Sequence, residues 1–116
     1  MDTKIKADWI AALRSGDYIQ GKGQLRETDL STGATSFCCL GVLCNLHAIA
    51  HPKIAAAQSS KDSYMQRSDY LPTSVEIWAD LSGTDGAYRT STDSLANDND
   101  AGKSFEQIAG IIEREF

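Results

Sequence analysis

The sequence has little of what marks the specialised classes of protein. Its 116 residues include only 2 prolines and 9 glycines, which excludes collagen-like and proline-rich low-complexity architectures. No apolar run approaches the roughly 20 residues that a membrane-spanning helix needs. The first residues include Asp2 and Asp8 and lack the apolar core of a secretory signal. We therefore expect one globular domain over residues 1–116, with no membrane association.

Cysteine is also scarce, and its pattern does not fit a disulfide framework. The chain has 3 cysteines, an odd number, and Cys38 and Cys39 are neighbours. A disulfide between adjacent residues is strained and rare. Reduced thiols in a cytoplasm are the expected state.

The chain has no excess of basic residues. Residues 1–61 carry seven Lys and Arg against five Asp and Glu, whereas residues 62–116 carry four against eleven, for a net charge of −5. A net acidic chain lacks the basic surface that drives binding to a phosphate backbone, so nonspecific nucleic-acid binding is disfavoured. The acidic C-terminal half suits a basic partner surface, although solvated acidic faces are common in proteins of all kinds.

Apolar residues at helical spacing predict three or four helices. The first spans about 3–14, with Asp2 or Thr3 as its N-cap and Gly16 beyond its end. The second runs from about Cys39 to Ala50, and a short third begins at Thr73 or Ser74. The last begins at Ser104, which forms a predicted capping box with Gln107. Between the second and third helices we expect a weak helical turn and a loop.

Short β-prone pieces fill part of the remainder. Residues 17–20 and 24–26 flank Gly21-Lys22-Gly23, a pattern that predicts a hairpin. Further short strands are expected at 37–38 and 88–90, with turn-rich loops at 27–36 and 97–102. The predicted fold class is α+β: a small antiparallel sheet or hairpins packed with three to four helices in a single domain.

One basic cluster is a candidate binding site for an anion or a nucleotide. Glycines allow backbone N–H groups to approach an anion, and Lys and Arg side chains add charge-assisted hydrogen bonds. The loop lacks the Walker spacing, so phosphate transfer is not indicated. A hairpin turn with solvated cations explains the same pattern. The candidate residues are Arg14, Gln20, Gly21, Lys22, Gly23 and Arg26.

A metal site is a weaker alternative. Cys44, His47 and His51 share one face of the predicted second helix, and Cys38 is the plausible fourth ligand of a zinc site. The chain has no CxxC pair, and buried cysteines with histidines at the edge of a core helix explain the same residues. We assign no metal and no cofactor.

A cysteine nucleophile is the second chemical candidate. Cys38 and Cys39 lie where a helix begins, which favours a thiolate electrostatically. Their neighbours are apolar, and burial raises the pKa of a thiol, so core packing is the preferred interpretation. We assign no catalytic residue.

Four segments of the chain can be set beside each other: Trp9-x3-Leu13-x-Ser15-Gly16-x-Tyr18-x-Gln20 with Gly23-x-Leu25, Phe37-Cys38-Cys39-Leu40-Gly41-Val42-Leu43-Cys44, Leu71-Pro72-x2-Val75-x2-Trp78, and Asn99-Asp100-x-Gly102-x-Ser104-Phe105-x2-Ile108-Ala109. Together they resemble a family of small, mostly uncharacterised proteins of tailed bacteriophages and prophages. They span most of the chain, and the CCLGVLC piece is quite specific. The resemblance implies a phage accessory protein in the cytoplasm of the infected bacterial host, where host takeover and counter-defence are common roles. It supplies no catalytic residue.

These observations favour a non-enzymatic protein that acts by binding. In one version it sequesters a host protein through its acidic half, and in another it binds a phosphorylated signalling molecule at the Arg14, Lys22 and Arg26 cluster. Sequestration suits a homodimer or larger homo-oligomer. A cysteine-dependent enzyme or redox protein and a small virion-associated structural protein are the alternatives.

Overall fold

The computed structural model describes residues 1–57, 62–89 and 93–116. Within them the fold class is α+β, as predicted. No helix in these ranges is long and apolar enough to cross a membrane. The helices are α1 (Thr3–Arg14), α2 (Cys39–Ala50), α3 (Pro52–Ala56), α4 (Thr73–Ala79), α5 (Leu95–Asp100) and α6 (Phe105–Glu115). The strands are β1 (Ile19–Gln20), β2 (Arg26–Thr28) and β3 (Thr35–Phe37).

Helix α2 is the centre of the core. Its first six residues, 39–44, are all buried, so the helix is apolar around its whole circumference. Helices α1, α3, α4 and α5 all contact it. Trp9 of α1 is fully buried and donates its indole N–H to the Cys39 carbonyl at 3.0 Å. This bond fixes α1 against the first turn of α2.

Helix α6 packs along α1 and closes the other side of the core. Its apolar face is buried, and its predicted capping box is confirmed. Ser104 Oγ accepts from the Gln107 backbone N–H at 3.2 Å, while Gln107 Oε1 accepts from the Ser104 N–H at 2.9 Å. The reciprocal bonds satisfy two donors at the start of the helix and define where it begins.

The sheet is mixed, with strand order β1-β3-β2. Strand β1 runs parallel to β3, and β2 runs antiparallel to β3. The predicted hairpin across residues 21–23 is therefore wrong, because the strands on either side of it pair with β3 and not with each other. The true hairpin joins β2 to β3 through residues 29–34, which were predicted to form a loop. Asp29 closes its tip by accepting from the Ser31 N–H at 2.8 Å and the Ser31 hydroxyl at 2.6 Å.

Other differences concern short elements. Helix α5 occupies the predicted polar loop at 97–102, and it begins where Ser94 Oγ accepts from the Asn97 N–H at 3.2 Å. A serine N-cap outweighs the poor helix propensity of the Asn and Asp residues that follow. The predicted strand at 88–90 is absent at Tyr88 and Arg89, where the local bridge joins Ala87 to Ser94 instead. Thr90 lies outside the described residues.

Gly41 allows the closest approach between α2 and the chain before β2. A Cβ atom at this position would lie 1.6 Å from the backbone oxygen of Leu25. That oxygen accepts from the Cys38 N–H at 3.3 Å, and the Leu25 N–H donates to the Ser68 carbonyl at 2.7 Å. Bonds on both sides hold Leu25, so its backbone has little freedom to move away from an added methyl group.

We therefore expect Gly41→Ala to lower the free energy of unfolding by about 3 kcal/mol or more, because overpacking against fixed backbone is costly. Urea unfolding followed by circular dichroism measures the change. Gly110→Ala in α6 is the matched control, since its Cβ would meet only the Arg114 guanidinium at 3.5 Å. The control should be neutral or stabilising by up to about 1 kcal/mol from helix propensity. Equal effects of the two substitutions would contradict this account of Gly41.

Candidate functional site

Arg14 of the predicted anion cluster is bonded to carboxylates of the chain itself. Its Nε donates to both Glu106 oxygens, at 3.1 and 3.2 Å, and its Nη2 donates to Glu113. These residues lie seven positions apart on α6, so they project from one face, toward the last turn of α1. The bond to Glu113 and the neighbouring Glu106 raise the pKa of Arg14. An anion at Arg14 would have to compete with two carboxylates.

The other two cations of the cluster, Arg26 and Lys22, lie near different residues from those that bind Arg14. Arg26 donates from Nη2 to the Ser63 carbonyl at 2.7 Å, which ties β2 to the segment before Tyr64. Lys22 extends toward Gly102, whose Cβ position lies 3.8 Å from the lysine Nζ. The partners of Arg14 and Arg26 belong to separate parts of the fold. These contacts give no indication that Arg14 and Arg26 line one opening.

The remaining three members of the cluster serve the fold through hydrogen bonds. Gln20 donates to the Lys103 carbonyl at 2.7 Å and accepts from the Phe105 N–H at 3.0 Å, which positions the start of α6. The Gly21 N–H donates to the Phe37 carbonyl at 2.8 Å, and the Gly23 N–H donates to Asp100 Oδ1 at 2.9 Å. The backbone donors expected to approach an anion are thus already bonded. The anion site stays a prediction, and it would require these bonds to exchange.

The Asn99 side chain links several of these segments through hydrogen bonds. This role is not predicted from the sequence. The side chain is fully buried. Its Oδ1 accepts from the Cys39 N–H at 3.1 Å and from Gln20 Nε2 at 3.0 Å, and its Nδ2 donates to the Gly21 carbonyl at 2.8 Å. Cys38, the N-cap residue of α2, makes no side-chain capping bond, so Asn99 supplies that cap from a different helix. The sequence predicts only a local capping and turn role for this residue.

All three thiols are buried among apolar side chains. Burial is the largest cause of a raised pKa at each of Cys38, Cys39 and Cys44. The Cys39 thiol also donates to the Leu95 carbonyl across 3.5 Å. A protonated, enclosed thiol is a poor nucleophile, which agrees with the preferred interpretation of these residues as core.

The two histidines of the predicted metal site belong to an aromatic cluster. His47 is buried, and its Nδ1 lies 2.6 Å from the Tyr64 hydroxyl. The His51 ring stacks on it with centroids 4.1 Å apart, and the edge of Trp78 covers it at 5.0 Å. Over the described part of the chain, no group of three or more His, Cys, Asp and Glu is arranged to hold a metal ion. The arrangement accounts for both histidines as packing partners, and the metal alternative stays a prediction.

One surface combines acidic groups with an exposed ring, and we call it the acidic surface: Asp69, Tyr70 and Asp100. These residues border a pocket of about 60 Å³ together with Gly23, Cys38 and Ala96. Tyr70 is 42% exposed. Asp69 accepts from the Tyr70 N–H at 2.8 Å, and this backbone bond is the largest cause of its lowered pKa. Both carboxylates of the surface are fixed by backbone N–H groups, since Asp100 accepts from Gly23.

A family model described as a domain of unknown function, DUF8296, matches residues 1–116. The chain belongs to this family. No curated protein and no solved structure matches the chain. Membership covers all of the elements described above, and it assigns no activity to them.

Loss of the Asn99 side chain should destabilise the fold. In Asn99→Ala, the buried Cys39 N–H and the partly buried Gly21 carbonyl lose their partner, so we expect a loss of about 3 kcal/mol in the free energy of unfolding. Chemical denaturation measures it. Asn97→Ala, an exposed position in the same helix, should change stability by less than about 0.5 kcal/mol. A small effect at Asn99 would show that water replaces these bonds.

The buried imidazole of His47 should make stability depend on pH. Burial and then the nearby His51 lower its pKa below the ordinary value of 6.5. Below that pH the unfolded chain binds a proton that the folded chain resists, so the free energy of unfolding should fall as pH drops from about 7.5 to about 5.5. Carboxyl groups titrate below this window. Denaturation of wild type and His47→Gln at the two pH values tests the point, since the variant should lose most of the slope. If the free energy of unfolding of the variant depended on pH as strongly as that of wild type, groups other than His47 would be responsible.

Proposed function

We propose that this protein is a non-catalytic phage accessory protein that binds and sequesters a protein of the bacterial host. The four segments that resemble phage and prophage proteins support the phage context, with the cytoplasm of the infected cell as the place of action. Host takeover or counter-defence are the roles that this context implies. Family membership is compatible with this proposal and assigns no role of its own.

The acidic surface is the observation that carries the proposal. Tyrosine is enriched among the residues that dominate binding energy in protein interfaces. Here a half-exposed Tyr70 borders the same pocket as two carboxylates, each of which accepts a backbone N–H bond, and Asp69 also pairs with Arg67 at 3.3 Å. Fixed groups lose little conformational entropy on binding. A partner with a basic contact surface complements this arrangement, in line with the excess of Asp and Glu in residues 62–116.

A protein partner is better supported than a phosphorylated small molecule. Arg14 is held by two carboxylates of α6, and the Gly21 and Gly23 N–H groups donate within the fold. A phosphate would have to break several of these bonds to gain its own. Burial of the three thiols likewise gives little support to a cysteine-dependent enzyme, and no observation favours a virion component.

Affinity purification of the tagged chain from its bacterial host tests the proposal, with retained proteins identified by mass spectrometry. We expect one host protein to be retained by wild type and lost with Tyr70→Ser and with the double variant Asp69→Asn/Asp100→Asn. Asparagine keeps the oxygen that accepts the backbone bond, so the charge is the main change. Ile77→Ser is the control, because Ile77 is 71% exposed on α4 and lies outside the acidic surface.

The dependence of host-protein retention on salt concentration provides a second test. Retention should weaken as ionic strength approaches about 1 M, where the Debye length is about 3 Å. A host protein retained equally by wild type and both surface variants would place its contact elsewhere and contradict the proposal. Native mass spectrometry of the same preparation reports whether the chain is a monomer or the expected homo-oligomer, and whether a nucleotide is bound.

A further inference from the structure

A cleft of about 430 Å³ lies where the beginning of α1 meets the ends of α4 and α6. The residues that line it include Met1, Asp80, Leu81, Tyr88, Glu115 and Phe116. The volume falls within the range of roughly 300–1,000 Å³ typical of small-molecule sites. The cleft is separate from the acidic surface, with which it shares no lining residue.

Two aromatic rings give the cleft an apolar wall. The ring centroids of Tyr88 and Phe116 are 5.9 Å apart, and their planes are tilted by 58°. The Tyr88 hydroxyl donates to Asp98 Oδ2 at 2.5 Å, which holds its ring in place. Tilted rings of this kind accommodate a flat apolar group against one face and a cation near the other.

The polar groups of the cleft already hold cations from the chain itself. Glu115 accepts from the Arg89 guanidinium through Nε at 2.8 Å and Nη2 at 2.7 Å. Asp80 lies 3.9 Å from the ammonium group of Met1. The Glu115 side chain is only 22% exposed, whereas Arg89 is 59% exposed. Glu115 is thus a fixed carboxylate inside the cleft, and Arg89 reaches it from the solvent side.

We propose that this cleft binds a small organic cation with a flat apolar body, whose charged group takes the place of the Arg89 guanidinium beside Glu115. Because the Glu115 side chain is largely shielded from solvent and Arg89 is not, a cation that lies inside the cleft gains more from this carboxylate than the exposed Arg89 loses. The apolar body, packed against Tyr88, Phe116 and Leu81, adds to the affinity. This inference does not depend on the proposed function.

Benzamidine is the probe, and benzamide is its uncharged isostere. We titrate each into the ¹⁵N-labelled full chain and follow the backbone amide signals by NMR. Benzamidine should give saturable shifts centred on Leu81, Ala87 and Tyr88, and benzamide should bind at least about tenfold more weakly, as expected for loss of a charge-assisted hydrogen bond. Absence of saturable shifts with benzamidine overturns the proposal, and so does equal binding of the two compounds.

Two variants test the exchange with Arg89. Glu115→Gln should weaken benzamidine about tenfold, to the level of benzamide. Arg89→Ala should tighten benzamidine severalfold, because the competing cation is removed. If the Arg89 guanidinium only helped to form the cleft, its removal would weaken benzamidine binding instead. Glu27→Gln, an exposed position on β2, is the control and should leave affinity unchanged. The amide spectra without ligand verify that each variant is folded, and unchanged or weakened binding in Arg89→Ala overturns the proposal.

Discussion

The fold depends on a polar junction formed by Asn99, which is buried, and Gln20, which lies on the exposed strand β1. Between them the two side-chain amides bond the first turn of α2, the turn after β1 and the beginning of α6. Helix starts leave N–H groups without partners, and two such starts are buried here next to each other. The junction satisfies both, and it fixes three elements from distant parts of the sequence at one point. Packing of α1 against α2, and of α6 against α1, then follows from their apolar faces.

Helix positions were largely predictable from the sequence, whereas the sheet was not. Helices α1 and α6 have apolar periodicity over twelve and eleven residues, and local capping signals mark their starts, whereas α2 is marked by a continuous apolar run and by Pro52 after its end. The strands have two or three residues each, too few for alternation to indicate a register. Parallel pairing of β1 with β3 is a long-range contact, so the glycines at 21 and 23 gave a false local signal for a hairpin.

The candidate site was poorly predictable for a related reason. A list of cations, glycines and an amide close together in sequence indicates an anion site only if their polar atoms remain available. Arg14 is engaged by α6, about ninety positions away, and Gln20 by residues at a similar separation. The local sequence around each residue does not predict these long-range bonds. Asn99, whose neighbours are polar, carries no signal of burial at all.

The same short helix that completes the junction also places the acidic surface. Successive residues of an α-helix project about 100° apart, so Asn99 turns into the core and Asp100 turns toward solvent. Asp100 then accepts from Gly23, in the very turn whose Gly21 carbonyl accepts from Asn99. Movement of Asp100 relative to this turn would strain two hydrogen bonds, the one from the Gly23 N–H to Asp100 and the one from Asn99 to the Gly21 carbonyl. The carboxylate is therefore held by hydrogen bonds that also fix the neighbouring turn, and a partner that recognises it meets a surface already ordered before binding.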